Sequence, residues 1–286
     1  MLGNNGLSIF GTDNSGENLL AYHSSMGTTY YVDSAASDDN SGTSWALAKK
    51  TIPAALDLCT TRGQNTVLVA PGGYTEDLQT PLNTVASFGQ LIGLSATSQS
   101  RGAVYLAPTT ATRAILKVRG RGWKVSGFEF DPGTNGGCID LDSHNTNCSA
   151  QYTEVSNNIF CGLHRGLYGI ALMGNCPFAT IKDNDFYAFN SDAGYGDHGA
   201  ASNNGSGIIG YGGGSDAPTF IKILDNTFWD NENHIYFKGS QIKESVIKGN
   251  NFLRWGDNQS AYHILDIYCH NDIWQNNIIE DNHGEG

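Results

Sequence analysis

Apolar and polar residues alternate over short segments of this chain, and each segment ends in Asn, Asp or Gly. In the second half, a β-branched apolar residue precedes an Asn by three positions, and a large apolar residue follows that Asn by two. The β-branched residues are Val155, Ile181, Ile223, Ile247 and Ile273. Short alternating runs between turn residues predict β-strands. No amphipathic pattern of helical length lies within a repeat, so the repeats are predicted to consist of strands and turns.

The recurring Asn residues predict coils stacked on one another. They are Asn158, Asn184, Asn226, Asn250 and Asn276, and the large apolar residues after them are Phe160, Phe186, Phe228, Phe252 and Ile278. A repeat of 20–50 residues is typical of stacked architectures. A coil of about 25 residues without a helix predicts an all-β, right-handed parallel β-helix, with like side chains stacked about 4.8 Å apart. The five Asn residues are expected to form a hydrogen-bonded structural ladder.

The order of motifs near the N-terminus resembles that of the right-handed parallel β-helix superfamily of pectate lyases and phage tailspikes. The motifs are Tyr-Tyr-Val-Asp at 30–33, the polar run at 38–45, the Lys-Thr-Ile-Pro segment at 50–56 and the strand-turn segment at 66–76. The resemblance covers about residues 28–280. It implies the fold, and it leaves open whether the protein is an enzyme or a virion appendage.

The chain divides into an N-terminal segment and one solenoid domain. Residues 28–286 are predicted to form the β-helix, with a capping helix over about 51–62 that begins after Thr51 and stops near Gly63. Residues 1–27 fit either an arm folded back on the body or an attachment segment. A Gly-rich insertion over about 190–218 is predicted to form a surface loop. The last coil has no following cap, so we expect another chain, polar tail residues or a further region to cover it.

Composition excludes several classes of protein. The 286 residues include 36 Gly and only 15% charged residues, unlike a helical bundle, and the net charge of −12 with no basic run argues against nucleic-acid binding. No membrane span or secretory leader is recognisable at the start of the sequence, so we expect no membrane partner. The six Cys have no zinc-site spacing and are expected to be buried thiols, with a Cys138–Cys148 bridge left open.

Candidate catalytic residues lie where strands follow the Asn turns. They are Asp140, Asp142, His164 and Arg165. Paired carboxylates suit glycoside hydrolysis, whereas a lyase needs a base and a cation such as Ca²⁺ to neutralise a uronate. No metal or other cofactor is predicted outside that case. The alternative is that these residues are solvated turn residues.

Candidate glycan-binding residues come from the insertion and from the aromatic residues after it. They are Tyr195, Asp197, His198, Trp229 and Tyr236. Aromatic rings beside polar groups are suited to sugars, but the same residues could form an inactive surface loop, fill the core or line a subunit interface.

These observations lead to two functional hypotheses. The first is a phage virion structural protein, tailspike-like or capsid-decorating, located on the virion and not an enzyme. It would assemble with itself, with a trimer favoured, or with other virion proteins, and would bind host-surface glycans. The alternative is a secreted polysaccharide lyase or glycoside hydrolase of the pectate-lyase-like fold.

Overall fold

A computed structural model gives the fold of the chain. It describes residues 27–59, 64–82, 84–94, 103–142, 149–173, 176–189, 205–211, 218–238, 242–253, 263–268 and 276–284; the side chains of 142, 211, 238 and 263–268 are not part of the description. Residues 1–26 of the N-terminal segment and most of the insertion therefore lie outside the described residues.

The described strands form three parallel sheets. The first sheet contains β1 Thr29–Val32, β2 Thr66–Val69, β5 Gln90–Gly93, β8 Lys124–Ser126, β11 Glu154–Ser156, β14 Thr180–Lys182, β17 Lys222–Leu224, β20 Val246–Lys248 and β23 Ile278–Glu280. The second contains β3 Gly72–Thr75, β6 Val104–Ala107, β9 Phe128–Phe130, β12 Ile159–Cys161, β15 Asp185–Tyr187, β18 Thr227–Trp229, β21 Asn251–Leu253 and β24 His283–Gly284. The third contains β4 Leu78–Gln79, β7 Leu116–Val118, β10 Gly137–Asp142, β13 Tyr168–Met173, β16 Ser206–Tyr211, β19 Asn233–Lys238 and β22 His263–Tyr268.

Each coil passes through the first, second and third sheets in that order, and each strand pairs in parallel with its equivalent one coil away. The fold is therefore the all-β parallel β-helix that the sequence predicts. Side chains in register on consecutive coils lie one strand spacing apart, so a position on one coil determines a column along the whole solenoid.

The helical content near the N-terminus is small. A 3-10 helix spans Trp45–Leu47, and helix α1 spans Ile52–Leu56, with the Thr51 hydroxyl accepting a hydrogen bond from the amide of Ala54. The helix ends earlier than the predicted 51–62 because Leu58 and Cys59 donate to carbonyls three residues back, which closes it with tight turns. Its role as a cap stays a prediction. Among the described residues, no helix is long and apolar enough to cross a membrane.

Columns of like side chains fill the core. Five Phe rings stack face to face behind the second sheet, with neighbouring centroids 4.6–5.2 Å apart; they are Phe130, Phe160, Phe186, Phe228 and Phe252. Behind the first sheet, a parallel column of β-branched residues contains Val125, Val155, Ile181, Ile223 and Ile247. Both columns are buried, so apolar surface is removed from water at every coil.

A column of Asn side chains follows the turn between the first and second sheets. Asn158, Asn184, Asn226 and Asn250 are fully buried. Asn184, Asn226 and Asn250 each accept from the amide and side-chain nitrogens of the preceding member, and Asn158, the first member, accepts from the Phe128 amide. The next member is Asn282, whose oxygen accepts from Asn250. This network satisfies the backbone groups of a buried bend.

The prediction that Asn276 belongs to this column is wrong. The strand after it, β23, pairs with β20 in the first sheet, and Ile279 rather than Ile278 is opposite Ile247. Asn276 therefore lies at the turn that leads from the third sheet into the first. The spacing of 26 residues matched the earlier repeats, but the step from Asn250 to the next ladder member is longer.

Backbone conformation explains why both turns share the same sequence pattern. Before each ladder Asn lies a residue with positive φ: Asn157, Asp183, Asp225, Gly249 and Asp281; Gly127 has positive φ at the equivalent position before Phe128. Asn276 also has positive φ, 54°, as do the residues preceding first-sheet strands in other coils. Asn, Asp and Gly adopt this conformation most readily, so an Asn-Asn pair suits either turn.

Cys59, Cys138, Cys161 and Cys176 are free, buried thiols, as expected for most of the cysteines. Cys138 is thus unbridged in this structure, and Cys148 lies outside the described residues.

Candidate functional site

The outer face of the second sheet carries two rows of side chains in register. Because the Phe column points inward, the residues beside each Phe point outward. One row contains Tyr105, Glu129, Ile159, Asp185, Thr227, Asn251 and His283. The other, named here the outer row, begins with Asp131 directly after β9 and continues through Cys161, Tyr187, Trp229 and Leu253.

Asp131 is the centre of this face. Only 6% of the residue is exposed, and its carboxylate accepts hydrogen bonds from two neighbouring side chains. An Arg165 guanidinium nitrogen lies 2.7 Å from Oδ1 and 3.0 Å from Oδ2, and the Tyr105 hydroxyl donates to Oδ2. Arg165 comes from the next coil and Tyr105 from the preceding one, so three consecutive coils fix one carboxylate. In the described contacts, three of its roughly four acceptor positions are occupied.

Glu129 is in β9, two residues before Asp131, and alternation along the extended chain places both side chains on the same face. The two Cα atoms are therefore separated by about 6.6 Å, two steps of strand rise. Partial burial raises the pKa of Glu129, and the nearby charge of Asp131 raises it further. A carboxyl group whose pKa is raised beside a carboxylate paired with a cation is an arrangement suited to acid–base chemistry.

The donors around Asp131 are held in their protonated forms. Burial, followed by the hydrogen bond to Asp131 and the charge of that carboxylate, raises the pKa of Tyr105 to about 12. The hydrogen bond to Asp131 also raises the pKa of Arg165. Both side chains therefore stay hydrogen-bond donors throughout the neutral range, and the Arg165 side chain remains 44% exposed, so it is open to a ligand.

Aromatic rings follow Asp131 and Cys161 along the outer row. Tyr187 and Trp229 have ring centroids 6.2 Å apart with planes tilted by 39°, and Trp229 is 38% exposed. Burial raises the pKa of Tyr187, and its hydrogen bond with Cys161 raises it further. These rings offer apolar surface beside a charged centre, as ligand sites commonly do.

The predicted catalytic residues separate in the structure. Arg165 lies against Asp131, whereas the exposed His164 imidazole lies 3.8 Å from Asp230. Asp140 is on the third sheet, 8% exposed, and accepts a hydrogen bond of 2.6 Å from the Tyr168 hydroxyl. The position of the Asp142 side chain is outside the description. Arg165 is thus brought to a carboxylate that was not among the predicted residues.

The predicted glycan-binding residues separate as well. Trp229 is on the outer face of the second sheet, but Tyr236 is on the third sheet and only 4% exposed, packed with Tyr168, Ala171 and Ile209. The burial of Tyr236 contradicts the prediction that it belongs to an open surface for stacking sugars. Its side chain points away from the core of the third sheet, yet it is covered in the folded chain. Tyr195, Asp197 and His198 lie outside the described residues.

The residues that sequence reasoning missed carry a recognisable signal. The stretch Phe128-Glu129-Phe130-Asp131 alternates apolar and acidic residues and begins three residues after Val125, the first-sheet position of its coil. Alternation places both acids on the outer face once the Phe residues are assigned to the core. Contact with Tyr105 and Arg165, distant by 26 and 34 residues, follows only from coil register.

The described residues contain no group of three His, Cys, Asp or Glu side chains placed to hold a metal ion. The expectation of Ca²⁺ stays a prediction attached to the lyase hypothesis.

Three parallel sheets wound in this order define the class of protein as a parallel β-helix, and similar solved structures share it. A rhamnogalacturonan lyase aligns with a TM-score of 0.60 and 14% identity over 91% of this chain and 63% of that chain. An alginate lyase from Paenibacillus sp. str. FPU-7 aligns with a TM-score of 0.58 and 15% identity, covering 82% and 72%. A pectin methylesterase from Aspergillus niger gives 0.51 and 12%, covering 91% and 86%.

At these identities the similarity establishes the fold alone, and this chain spans less than two thirds of the rhamnogalacturonan lyase. No protein-family model matches the sequence, and no curated protein matches it significantly.

Proposed function

We propose that this protein is an enzyme that acts on a polysaccharide, with its active site on the outer face of the second sheet around Asp131. One observation carries the proposal: a half-buried carboxyl with a raised pKa, Glu129, lies two residues before, and on the same face as, a carboxylate fixed by Arg165 and Tyr105. The similar structures of polysaccharide lyases and of a pectin methylesterase support a carbohydrate substrate, because all of them use this fold.

The reaction that this pair favours is hydrolysis of a glycosidic bond. Glu129, whose pKa is raised by burial, donates a proton to the leaving oxygen. The Asp131 carboxylate is held by Arg165. Its remaining acceptor position orients a water for attack on the anomeric carbon, and the carboxylate takes up the proton of that water. Arg165 and Tyr105 bind no leaving group in this scheme; they position the carboxylate. Two carboxyl groups with these roles are sufficient for glycoside hydrolysis.

The test is incubation of the full chain with alginate, rhamnogalacturonan and pectin, each with and without added Ca²⁺. New saturated reducing ends indicate hydrolysis, and ultraviolet-absorbing unsaturated ends indicate the elimination of a lyase. We expect Glu129→Gln and Asp131→Asn each to lower kcat at least a hundredfold with little change in KM, since general acid–base catalysis contributes about that much.

Glu154→Gln is the matched control. Glu154 is a half-buried glutamate on the first sheet, paired with Lys124 at 3.2 Å and far around the coil from the outer row. Its substitution should leave kcat unchanged. Wild-type protein that releases neither saturated nor unsaturated ends from any of the three polysaccharides, or an Asp131→Asn variant as active as wild type, contradicts the proposal.

The virion-appendage role predicted from the sequence has no supporting observation in the described structure or in the similar proteins above. That role, the homo-oligomer and the location on a virion stay predictions.

A further inference from the structure

The outer row is chemically different on the two sides of Asp131. Toward the C-terminal coils it presents Tyr187 and Trp229, two and three coils beyond Asp131. Toward the N-terminal coils, the position in register is Ala107, paired in turn with Thr75, and neither has a ring. Within the outer row, aromatic side chains therefore follow the carboxylate centre only on its C-terminal side; the one ring on the N-terminal side that contacts Asp131, Tyr105, belongs to the neighbouring row.

Coil spacing sets the distances along this row. Consecutive parallel strands lie about 4.8 Å apart, so Tyr187 is displaced about 10 Å along the solenoid axis from the coil of Asp131, and Trp229 about 14 Å. The hydrogen bond between Tyr187 and Cys161 holds the Tyr187 hydroxyl toward the preceding coil, while 38% of Trp229 stays open to solvent. Trp229 is too far from Asp131 to contact the sugar at the reacting bond, but a linear glycan laid along the axis would reach both rings.

Resting on the proposed function, we propose that Tyr187 and Trp229 bind the distal sugar units of a linear polysaccharide that runs along the solenoid axis from Asp131 toward the C-terminal coils. A sugar ring has an apolar face of C–H groups that packs on an aromatic ring, and the polar rim of the same ring remains hydrated. Asp185 and Thr227, opposite each other on the neighbouring row, lie beside these rings with hydrogen-bonding groups. Trp229 therefore favours longer substrates and sets the direction in which they lie on the solenoid, although it takes no part in proton transfer.

The test measures binding separately from turnover. Oligosaccharides of alginate, rhamnogalacturonan and pectin, each as disaccharide, tetrasaccharide and hexasaccharide, are titrated calorimetrically into the full chain carrying Glu129→Gln. We expect at least one series to bind more tightly with length. Adding Trp229→Ala should weaken hexasaccharide binding in that series about tenfold, leave disaccharide binding unchanged, and be largely reversed by Trp229→Tyr.

Phe178→Ala is the matched control, because Phe178 is an exposed ring, 41% accessible, at the turn between the third and first sheets. It should leave the binding of every oligosaccharide unchanged. Equal binding of hexasaccharide by the Trp229→Ala and parent chains overturns the inference, as does an equal loss for the disaccharide or the absence of binding in all three series. If binding strengthens with oligosaccharide length and depends on Trp229, but the wild type forms no product, the proposed enzymatic activity is refuted. The proposed glycan binding by Tyr187 and Trp229 is then supported.

Discussion

Asn226 lies in the middle of the buried ladder, and its side chain uses its full hydrogen-bonding capacity. Its oxygen accepts from the amide and side-chain nitrogens of Asn184, both at 3.0 Å. Its nitrogen donates to the Ile181 carbonyl and to the Asn250 side-chain oxygen, again at 3.0 Å. Substitution by Ala is therefore expected to disturb the coils on both sides.

The size of the effect follows from the groups left behind. Asn226→Ala removes the acceptor for the Asn184 amide, which lies at a fully buried position, and an orphaned buried donor costs about 1–3 kcal/mol. The donor bonds lost to Ile181 and Asn250 add about 1 kcal/mol between them, since carbonyl oxygens tolerate under-satisfaction better than amides. We expect the free energy of unfolding to fall by about 3 kcal/mol.

Asn226→Asp tests the donor half alone. The carboxylate keeps the acceptor for Asn184 but places a negative oxygen against the Ile181 carbonyl and the Asn250 side-chain oxygen. This repulsion and the burial of the site both raise the pKa of the new Asp in the folded state. The folded variant then binds more protons than the unfolded one, and its stability relative to wild type should rise as pH falls toward 4.

Urea unfolding followed by both circular dichroism and fluorescence measures these changes, because two probes reveal any coil that melts separately. Asn251→Ala is the control: Asn251 is the next residue in the chain but points outward and is exposed, so its loss should change stability by less than about 0.5 kcal/mol. Equal effects of the two Ala substitutions, or an Asn226→Asp variant insensitive to pH, would show that the ladder does not hold the turn.

Two further predictions concern other parts of the solenoid. Phe186→Ala removes a buried ring stacked between Phe160 and Phe228 and should lower the unfolding free energy by about 3–5 kcal/mol. Phe178→Ala, in the exposed stack that Phe178 forms with Tyr152 and Phe220, should lower it by only about 1–2 kcal/mol, and denaturation midpoints that coincide contradict this. Burial raises the pKa of Glu76, which accepts from the Ile52 amide, to about 7, so the folded state binds more protons and stability should fall as pH rises from about 4.5 to 7. Glu76→Gln should remove that slope, worth about 1–2 kcal/mol after solvent screening, in thermal melts across that range.

The candidate site shows where prediction from sequence fails. Arg165 was identified as a candidate together with Asp140, Asp142 and His164, but the carboxylate that it contacts, Asp131, was not among the candidates. The alternation around Phe128 and Phe130 contains enough information to place Glu129 and Asp131 outside, yet nothing local links them to Arg165. That pairing depends on which coil lies above which, and it appears only when the strands are in register.

By itself, the sequence determined the parallel β-helix, four members of the Phe column and four members of the Asn ladder, whereas Ile278, predicted for the Phe column, lies in the first sheet. These features repeat because each coil meets the same local requirements: an inward apolar position, a residue that tolerates positive φ, and a buried Asn to satisfy the bend. The tertiary structure decided the register at irregular steps, so Asn282 rather than Asn276 closes the ladder. It also decided which outward-pointing side chains reach solvent: Trp229 is 38% exposed, whereas Tyr236 is 4% exposed. Stacking contacts join residues of different coils, and the length of each intervening loop, which no local pattern encodes, sets which residues meet.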